Sequence, residues 1–326
     1  MVIAFLLVTV LLVPFAVIAL VVDVVRFVAR RSPWMALRLL AFLWVYLAAE
    51  TFGLIALLVL WLGAGLGHRR AWLQRTTWRV QQLWAGVLFG AATRLMGLRV
   101  EIEGDEAITP GPVIVLIRHA SILDNLLPSA LVARRHQLRL RYVLKRELLS
   151  DPCLDVAGKR LPNYFVRRGT GERAERENVR RLAEGLAVDD GILLYPEGTR
   201  FTAERRARAL AGIAERDPQR AERMASIQHL LPPKVGGFLA LLDGAPDADV
   251  VVMAHAGLDG LRLISDIWQG ALVGRTIAVR FDRTAREQIP SDASGRVLWL
   301  DAAWAAADRW VAGELASEPP PAERVG

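Results

Sequence analysis

The stretch V-I-V-L-I-R-H-A-S-I-L-D-N, residues 113–125, decides the fold. Its first five residues form an unbroken aliphatic run rich in β-branched side chains, which is typical of a strand buried on both faces of a parallel sheet. The run ends at Arg118 and His119, and α/β sheets place their ligands at the carboxyl ends of such strands. The pattern therefore predicts an α/β domain with a polar site at this edge of its sheet.

His119 and Asp124 are the candidate chemical pair of this stretch. In an α-helix, positions five apart differ by about 140° and do not share a face, so a pairing of the two side chains needs a turn between them. S-I-L-D, beginning at Ser121, predicts a helix with a serine N-cap and an acid at its third position. A carboxylate bonded to an imidazole would make a general base for an alcohol. In the alternative interpretation, Asp124 only caps a helix.

A second strand-and-turn pattern is G-I-L-L-Y-P-E-G-T-R, residues 191–200. Gly198 allows the backbone to approach a ligand closely. Arg200 offers a planar fork that suits a phosphate, and Thr199 adds a hydroxyl donor. The alternative is a surface turn with a solvated arginine.

Strand and helix patterns alternate from Leu98 onward, which favours an α/β fold with a mainly parallel sheet flanked by helices. Strands are predicted at 98–102, 113–117, 140–144, 164–166, 192–195, 250–254 and 276–281. Helices are predicted near 125–135, 172–188, 203–229 and 295–315.

The N-terminal region, residues 1–67, is predicted to be a membrane anchor of two apolar helices, a helical hairpin. Residues 1–22 carry no charge, and residues 39–67 carry only Glu50. Glu50 is either a partner across the two helices or a protonated or snorkelling side chain. Four arginines follow each apolar segment, so the positive-inside rule does not select an orientation.

Residues 68–97 read as an amphipathic, tryptophan-rich helix that lies on a bilayer surface or packs on the domain. The main domain is expected over 98–315, and a disordered tail over 316–326.

Composition restricts the function further. The formal net charge is +7, and the chain contains one cysteine, Cys153, so it has neither an intrachain disulfide nor a zinc site built from several thiolates. A basic chain beside an apolar anchor suits an anionic membrane, and a merely solvated basic surface is the alternative. The basic stretch 203–229 has the same two interpretations.

Nucleic-acid motifs are absent, and only the basic pI supports a tethered nucleic-acid binder. Cys153 is not expected to be a nucleophile, and the four histidines other than His119 are expected to be structural or exposed.

The two motifs, in this order, resemble the glycerolipid acyltransferase family, which pairs an H-x-x-x-x-D block with a downstream E-G-T-R block and includes lysophosphatidic acid acyltransferases. P-N-Y-F-V-R-R, residues 162–168, is similar to the family's intermediate block, and L-L-P-P-K-V-G-G-F, residues 230–238, to its fourth. Arg168 takes the arginine position of the intermediate block, and Arg167 stands where many members have Asp. The resemblance covers roughly residues 98–285.

The resemblance implies a role for each matching residue. His119 would deprotonate the acceptor hydroxyl, and Asp124 would orient it. The acceptor phosphate would be held by Gly198, Thr199 and Arg200 together with Arg168. Glu197 would orient those groups, and Pro232 and Lys234 would shape the acyl or carrier side. No metal or cofactor is needed, because a thioester is already activated.

The expected reaction is O-acylation of a lysophospholipid, with acyl-CoA or acyl-carrier protein as the donor. The best-fitting acceptor is lysophosphatidic acid, and its product is phosphatidic acid. The alternatives are another acceptor (glycerol 3-phosphate, another lysophospholipid or a glycolipid) and a catalytically silent membrane scaffold. Both donors are cytosolic, so we expect an integral protein of the cell membrane with its catalytic domain on the cytoplasmic face. The expected partners are the acceptor, the donor and membrane lipid, and not nucleic acid.

Overall fold

A computed structural model describes residues 1–121, 123–166, 172–261 and 264–317. The α-helices, in chain order, are α1 (Val2–Val10), α2 (Leu12–Arg30), α3 (Met35–Gly63), α4 (Arg70–Met96), α5 (Pro152–Arg160), α6 (Glu172–Ala183), α7 (Ala203–Ala214), α8 (Pro218–Met224), α9 (Val235–Gly244), α10 (Ile264–Trp268) and α11 (Ala293–Ser317). The strands are β1 (Arg99–Glu103), β2 (Val113–Ile117), β3 (Arg139–Lys145), β4 (Tyr164–Val166), β5 (Asp190–Leu194), β6 (Asp249–Ala256) and β7 (Thr276–Thr284).

The chain folds into two compact units, each assembled from three segments. The first unit comprises Met1–Arg99, Ile122–Gly169 and Leu261–Arg275. The second comprises Val100–Ser121, Thr170–Gly260 and Thr276–Gly326.

The N-terminal hairpin belongs to the first unit. Helices α2 and α3 are both long and apolar enough to cross a membrane. The Asp23 carboxylate, buried on α2, accepts hydrogen bonds of 2.9 Å from the backbone N–H groups of Ala36 and Leu37, in the first turn of α3. An acid at a helix N-terminus satisfies free N–H groups and interacts favourably with the helix dipole. Asp23 therefore fixes the bend between the two helices.

Glu50, on α3, is fully buried. Its carboxylate accepts hydrogen bonds from Trp84 Nε1 (2.9 Å) on α4 and from the backbone N–H of Cys153 (3.1 Å) on α5. Helix α4 buries a stripe at helical spacing, from Leu73 to Met96, while Trp72 is exposed. Within this unit α4 packs through this stripe, and whether its exposed face lies on a bilayer surface stays a prediction.

The second unit is built around a sheet whose strands lie in the order β1-β7-β6-β2-β5. Strand β2 is central and fully buried, and pairs in parallel with β5 and β6; β7 is antiparallel to β6. In the first unit β3 and β4 pair in parallel. The predicted α/β class with a mainly parallel sheet is confirmed, and each predicted strand boundary lies within three residues of the observed one.

Several predicted helices differ from the structure. The single helix over 203–229 is wrong, because α7 ends at Ala214 and α8 begins at Pro218, where the Asp217 side chain caps the new helix. The predicted helix after Ser121 does not begin as an α-helix, and residue 122 lies outside the described residues. A 3₁₀ turn forms at Leu123–Asn125, and a π-helical segment then begins at Pro128, whose missing N–H suits a first turn.

The remaining differences concern helix ends. The first apolar segment is two helices that continue to Arg30, and the second apolar helix ends at Gly63. Helix α6 ends at Ala183, two residues before the left-handed Gly185. Helix α11 continues to Ser317, so residues 316 and 317 are helical, and 318–326 lie outside the described residues.

Candidate active site

The candidate site lies at the carboxyl end of β2, where two adjacent basic residues occupy different surroundings. Arg118 is 1% exposed and bonds Asp259 through both terminal nitrogens. It also donates to the backbone carbonyls of His255 (2.6 Å) and His229 (3.0 Å). His119 is half-buried. Arg118 thus anchors the end of the strand inside the unit.

The backbone of His119 is held on both sides of its Cα. Its N–H donates to Oε1 of Glu197 (2.8 Å), and its carbonyl accepts from the N–H of Phe201 (2.9 Å). The imidazole packs beside the Tyr195 ring, with centroids 4.8 Å apart and planes tilted by 47°. Ring Nε2 of the buried His255 lies 3.2 Å from the carbonyl of the preceding residue, Arg118. These contacts fix the position of the His119 backbone, from which the imidazole extends. A general base must be held in a defined position relative to its substrate.

The E-G-T-R turn follows β5. The N–H of Gly198 donates to the carbonyl of Tyr195 (3.0 Å), which closes the turn. Gly198 has a φ of +68°, a left-handed conformation that glycine adopts without steric cost. A Cβ placed there would lie 3.0 Å from Nζ of Lys234, so the ammonium group sits directly over the turn. The backbone N–H of Lys234 also donates to the carbonyl of Pro196 (2.9 Å).

Glu197 connects three of the motif blocks. It is 2% exposed, and its two carboxylate oxygens have different backbone partners. Oε1 accepts from His119, and Oε2 accepts from the N–H of Leu231 at 2.9 Å. One buried carboxylate therefore sets the positions of the histidine block, its own turn and the fourth block relative to one another.

Helix α11 supports the fourth block from one buried face. Asp301 accepts hydrogen bonds from Nε and Nη2 of Arg220 (2.8–3.1 Å), and Nη2 also donates to the carbonyl of Pro233 (2.8 Å). The Trp304 indole N–H donates to the carbonyl of Leu231 (3.0 Å). Asp308 accepts hydrogen bonds of 2.7–2.9 Å from the three successive N–H groups just before Leu231. The loop that carries the fourth block is thus held at both ends.

The second unit brings together most of the predicted site residues. His119, Glu197, Gly198 and Lys234 are connected by the contacts above, and Thr199 and Arg200 continue the same turn, each half-buried. Pro232 is buried in the supported loop.

Two predicted residues are not placed by these contacts. Asp124 belongs to the first unit, where it is fully buried in the Leu123–Asn125 turn, and its pairing with His119 stays a prediction. Arg168 and its neighbour Arg167 lie outside the described residues.

Sequence reasoning missed the groups beneath the site. Arg118, Asp259 and His255 were not singled out as a cluster, although His255 falls at the end of a predicted strand. Asp301, Trp304 and Asp308 fall at helical spacing within a predicted helix, which is the signal that could have identified a polar buried face.

Cys153 is 2% exposed, and burial raises the pKa of its thiol to about 12. The thiolate is the nucleophilic form of cysteine, so a thiol with this pKa stays inert near neutral pH. The geometry agrees with the expectation that Cys153 is not a nucleophile.

Comparison with known proteins adds a family to this geometry. Residues 99–219 match the model of the Acyltransferase family. Lysocardiolipin acyltransferase 1 of Danio rerio is 24% identical over 237 residues, which cover 71% of this chain and 60% of that protein. The 1-acyl-sn-glycerol-3-phosphate acyltransferase of Pseudomonas aeruginosa is 29% identical over 122 residues, 37% of this chain and 46% of that protein. The chain thus spans less than two thirds of the length of these relatives.

The fold also matches a solved structure. The crystal structure of the 1-acyl-sn-glycerophosphate acyltransferase PlsC of Thermotoga maritima superposes with a TM-score of 0.52 at 17% identity. The match covers 87% of this chain and 98% of that one. At this identity, the likeness establishes a shared fold.

Proposed function

Because residues 99–219 match the model of the Acyltransferase family, we propose that this chain transfers a fatty acyl group from a thioester to the free hydroxyl of a lysophospholipid, with lysophosphatidic acid as the best-fitting acceptor. The single observation that carries the proposal is Glu197, which holds the backbone of His119 and of Leu231 with one carboxylate. The similarity to the 1-acyl-sn-glycerol-3-phosphate acyltransferase of Pseudomonas aeruginosa supports the acceptor.

The proposed chemistry is a single displacement at the thioester carbonyl. His119 takes the proton of the acceptor hydroxyl while the oxygen forms a bond to the carbonyl carbon. The carbon–sulfur bond then breaks, and the leaving sulfur takes the proton from the imidazolium. Asp124 is proposed to orient the imidazole and to stabilise its charged form. General-base catalysis contributes about 10²–10⁴-fold, so positioning by the backbone of the site supplies much of the remaining acceleration.

The acceptor phosphate is proposed to lie over the E-G-T-R turn. Lys234 Nζ lies next to Gly198, and Arg200 and Thr199 continue the same turn. An ammonium group and a guanidinium fork together suit a phosphate monoester, which carries up to two negative charges. Arg168 is proposed to complete this phosphate site, and Pro232 to shape its acyl or carrier side. The donor is acyl-CoA or acyl-carrier protein, and the proposed chemistry uses no metal or cofactor.

A second candidate acceptor is a lysophospholipid with a larger headgroup. The relative that supports it is the lysocardiolipin acyltransferase of Danio rerio, which aligns with 71% of this chain. The chemistry at His119 would be the same, and only the room around the phosphate site would differ.

The N-terminal hairpin is proposed to hold the protein in the cell membrane, with the site on the cytoplasmic face, where acyl thioesters are made. The outward side chains of α1 and α2 are large and apolar, for example Ile3 (83% exposed) and Val10 (78% exposed). Exposed apolar patches of this kind mark a membrane or protein contact. An enzyme held in the bilayer need not extract either its lipid acceptor or its product into water.

The test is product analysis with the full chain purified in detergent. Oleoyl-CoA or oleoyl-acyl-carrier protein is offered with lysophosphatidic acid, monolysocardiolipin, lysophosphatidylcholine or glycerol 3-phosphate, and the lipids are identified by mass spectrometry. We expect phosphatidic acid to form fastest. Faster acylation of monolysocardiolipin would favour the second acceptor, and no acylation of any acceptor by folded protein would refute the proposal.

A further inference from the structure

A separate apolar cleft lies among helices α2, α3 and α4 of the first unit. Its volume is about 370 Å³, and its apolar lining consists of Leu12, Ala41, Trp44, Val45, Ala91 and Leu95. An apolar cavity of about 150 Å³ already holds a benzene molecule, and small-molecule sites begin at about 300 Å³. The cleft is therefore large enough for a long stretch of hydrocarbon and offers that ligand almost no polar partner along its walls.

Among the described residues that line the cleft, the charged one is Arg94, at the C-terminal end of α4. This side chain is exposed, and its guanidinium reaches only the carbonyl of Gly90, at 3.4 Å, among the described residues. Within the same described part of the chain, no carboxylate pairs with it. Arg94 is thus a cation available to an anion at the edge of an apolar cleft.

A second cation stands at the same end. Helices α3 and α4 run antiparallel, because Glu50 meets Trp84 while Ala41 and Ala91 line one cleft. Arg38 lies one turn before Ala41 on α3, on the same helix face, and therefore toward the end that carries Arg94. In the described residues, Arg38 likewise forms no ion pair with a carboxylate.

We propose that this cleft is an accessory lipid site, which takes one acyl chain of an anionic phospholipid and pairs its phosphate with Arg94 and Arg38. An acyl chain fits because the walls are apolar and the cleft opens among helices whose outer surface is also apolar. A phosphate fits because two guanidinium groups stand at one end, neither of them paired with a carboxylate of the described residues. The site is distinct from the histidine site, which lies in the second unit. The inference rests on the proposed membrane insertion of the hairpin and not on the acyl-transfer chemistry.

Native mass spectrometry of the full chain in mild detergent tests the site, with dioleoyl phosphatidylglycerol and dioleoyl phosphatidylcholine as probes. We expect one tightly retained phosphatidylglycerol on the unmodified chain and at least tenfold weaker retention in Ala91→Phe, which fills the cleft. Arg94→Gln should weaken phosphatidylglycerol about tenfold and leave phosphatidylcholine unchanged. The matched control is Arg79→Gln, which removes an exposed arginine of the same helix outside the cleft.

Two results would overturn the inference. One is retention by Ala91→Phe equal to that of the unmodified chain, and the other is an equal loss in Arg94→Gln and Arg79→Gln, which would indicate a general attraction to basic surface. Ala41→Leu fills the cleft from the opposite wall and replaces Ala91→Phe if circular dichroism shows that the latter is unfolded. Acyl transfer is measured on the same samples. Lipid retention without transfer would contradict the proposed function alone, and transfer without retention would contradict the accessory site alone.

Discussion

Replacing Glu197 with glutamine tests whether one carboxylate organises the site. The two oxygens accept from the N–H groups of His119 and Leu231 at 2.8 and 2.9 Å, and the side chain is 2% exposed. Glutamine has nearly the same shape but presents one oxygen and one NH₂ group. One of the two backbone N–H groups would then face the NH₂ group of the glutamine, which cannot accept its hydrogen bond. Because the site is buried, water could not easily replace the lost acceptor.

The expected cost follows from that lost bond. A hydrogen bond to a charged group contributes about 1.5–3 kcal/mol, so Glu197→Gln should lower the free energy of unfolding by about that amount. Each kcal/mol shifts the Tm of a protein of 150–250 residues by about 2–4 °C. This chain of 326 residues is larger, so we take the lower value and expect a fall of about 3–6 °C. A shift of the histidine by about 1 Å costs on the order of 100-fold in rate. We therefore expect kcat to fall about 10- to 100-fold, with a smaller change in KM.

The assay combines thermal unfolding of the detergent-purified protein, followed by circular dichroism, with acceptor-dependent thiol release. Glu215→Gln is the matched control, because Glu215 is exposed at the end of α7. The control should leave both readouts unchanged. A Glu197→Gln variant with the Tm and kcat of the unmodified chain would refute the reasoning, since the two backbone contacts would then contribute nothing.

Three further predictions concern other parts of the chain. Gly198→Ala should lower the Tm, because a left-handed φ costs a residue with a Cβ about 1–2 kcal/mol. It should also raise the KM for the acceptor, because the added methyl group crowds Lys234. Unchanged kinetics would contradict this placement of the turn. Cys153 should resist maleimide from pH 7 to pH 9 and react fully after denaturation, because burial raises the pKa of its thiol to about 12; rapid labelling of folded protein would contradict its burial. Arg220→Met should cost up to about 3–5 kcal/mol, because the buried Asp301 carboxylate then keeps only its longer contact, 3.6 Å, with the exposed Arg223. Arg220→Met with Asp301→Leu should cost much less, and a double-mutant cycle with no coupling would disprove the ion pair.

Strand β2 was predictable from sequence because it is a short β-branched run that the sheet buries completely. Val113–Ile117 and Tyr164–Val166 have the predicted bounds. Helices α5 and α9 were not predicted. Each is a short segment of nine or ten residues, and periodicity alone does not separate a short buried helix from a buried strand. Helix breaks were also missed where a side chain decides them, as at Asp217 before Pro218.

The residues of the site were predictable as motifs, but the hydrogen bonds that hold the motifs together were not. Glu197 was expected to orient phosphate-binding groups, whereas both of its oxygens bind backbone N–H groups 78 and 34 positions away. Arg118 pairs with Asp259 across 141 positions. Contacts at such separations depend on which strands become neighbours in the sheet, so the spacing of residues within one motif does not predict them.

The central claim is that His119 is the base of an acyl transfer, and thiol release from oleoyl-CoA tests it most directly. The unmodified chain is compared with His119→Ala, with and without lysophosphatidic acid, and with His68→Ala as a control for an exposed histidine in the first unit. We predict acceptor-dependent release by the unmodified chain and by His68→Ala, and a loss of about 10²–10⁴-fold in His119→Ala. Acceptor-dependent release that persists at full rate in a folded His119→Ala variant would contradict the claim.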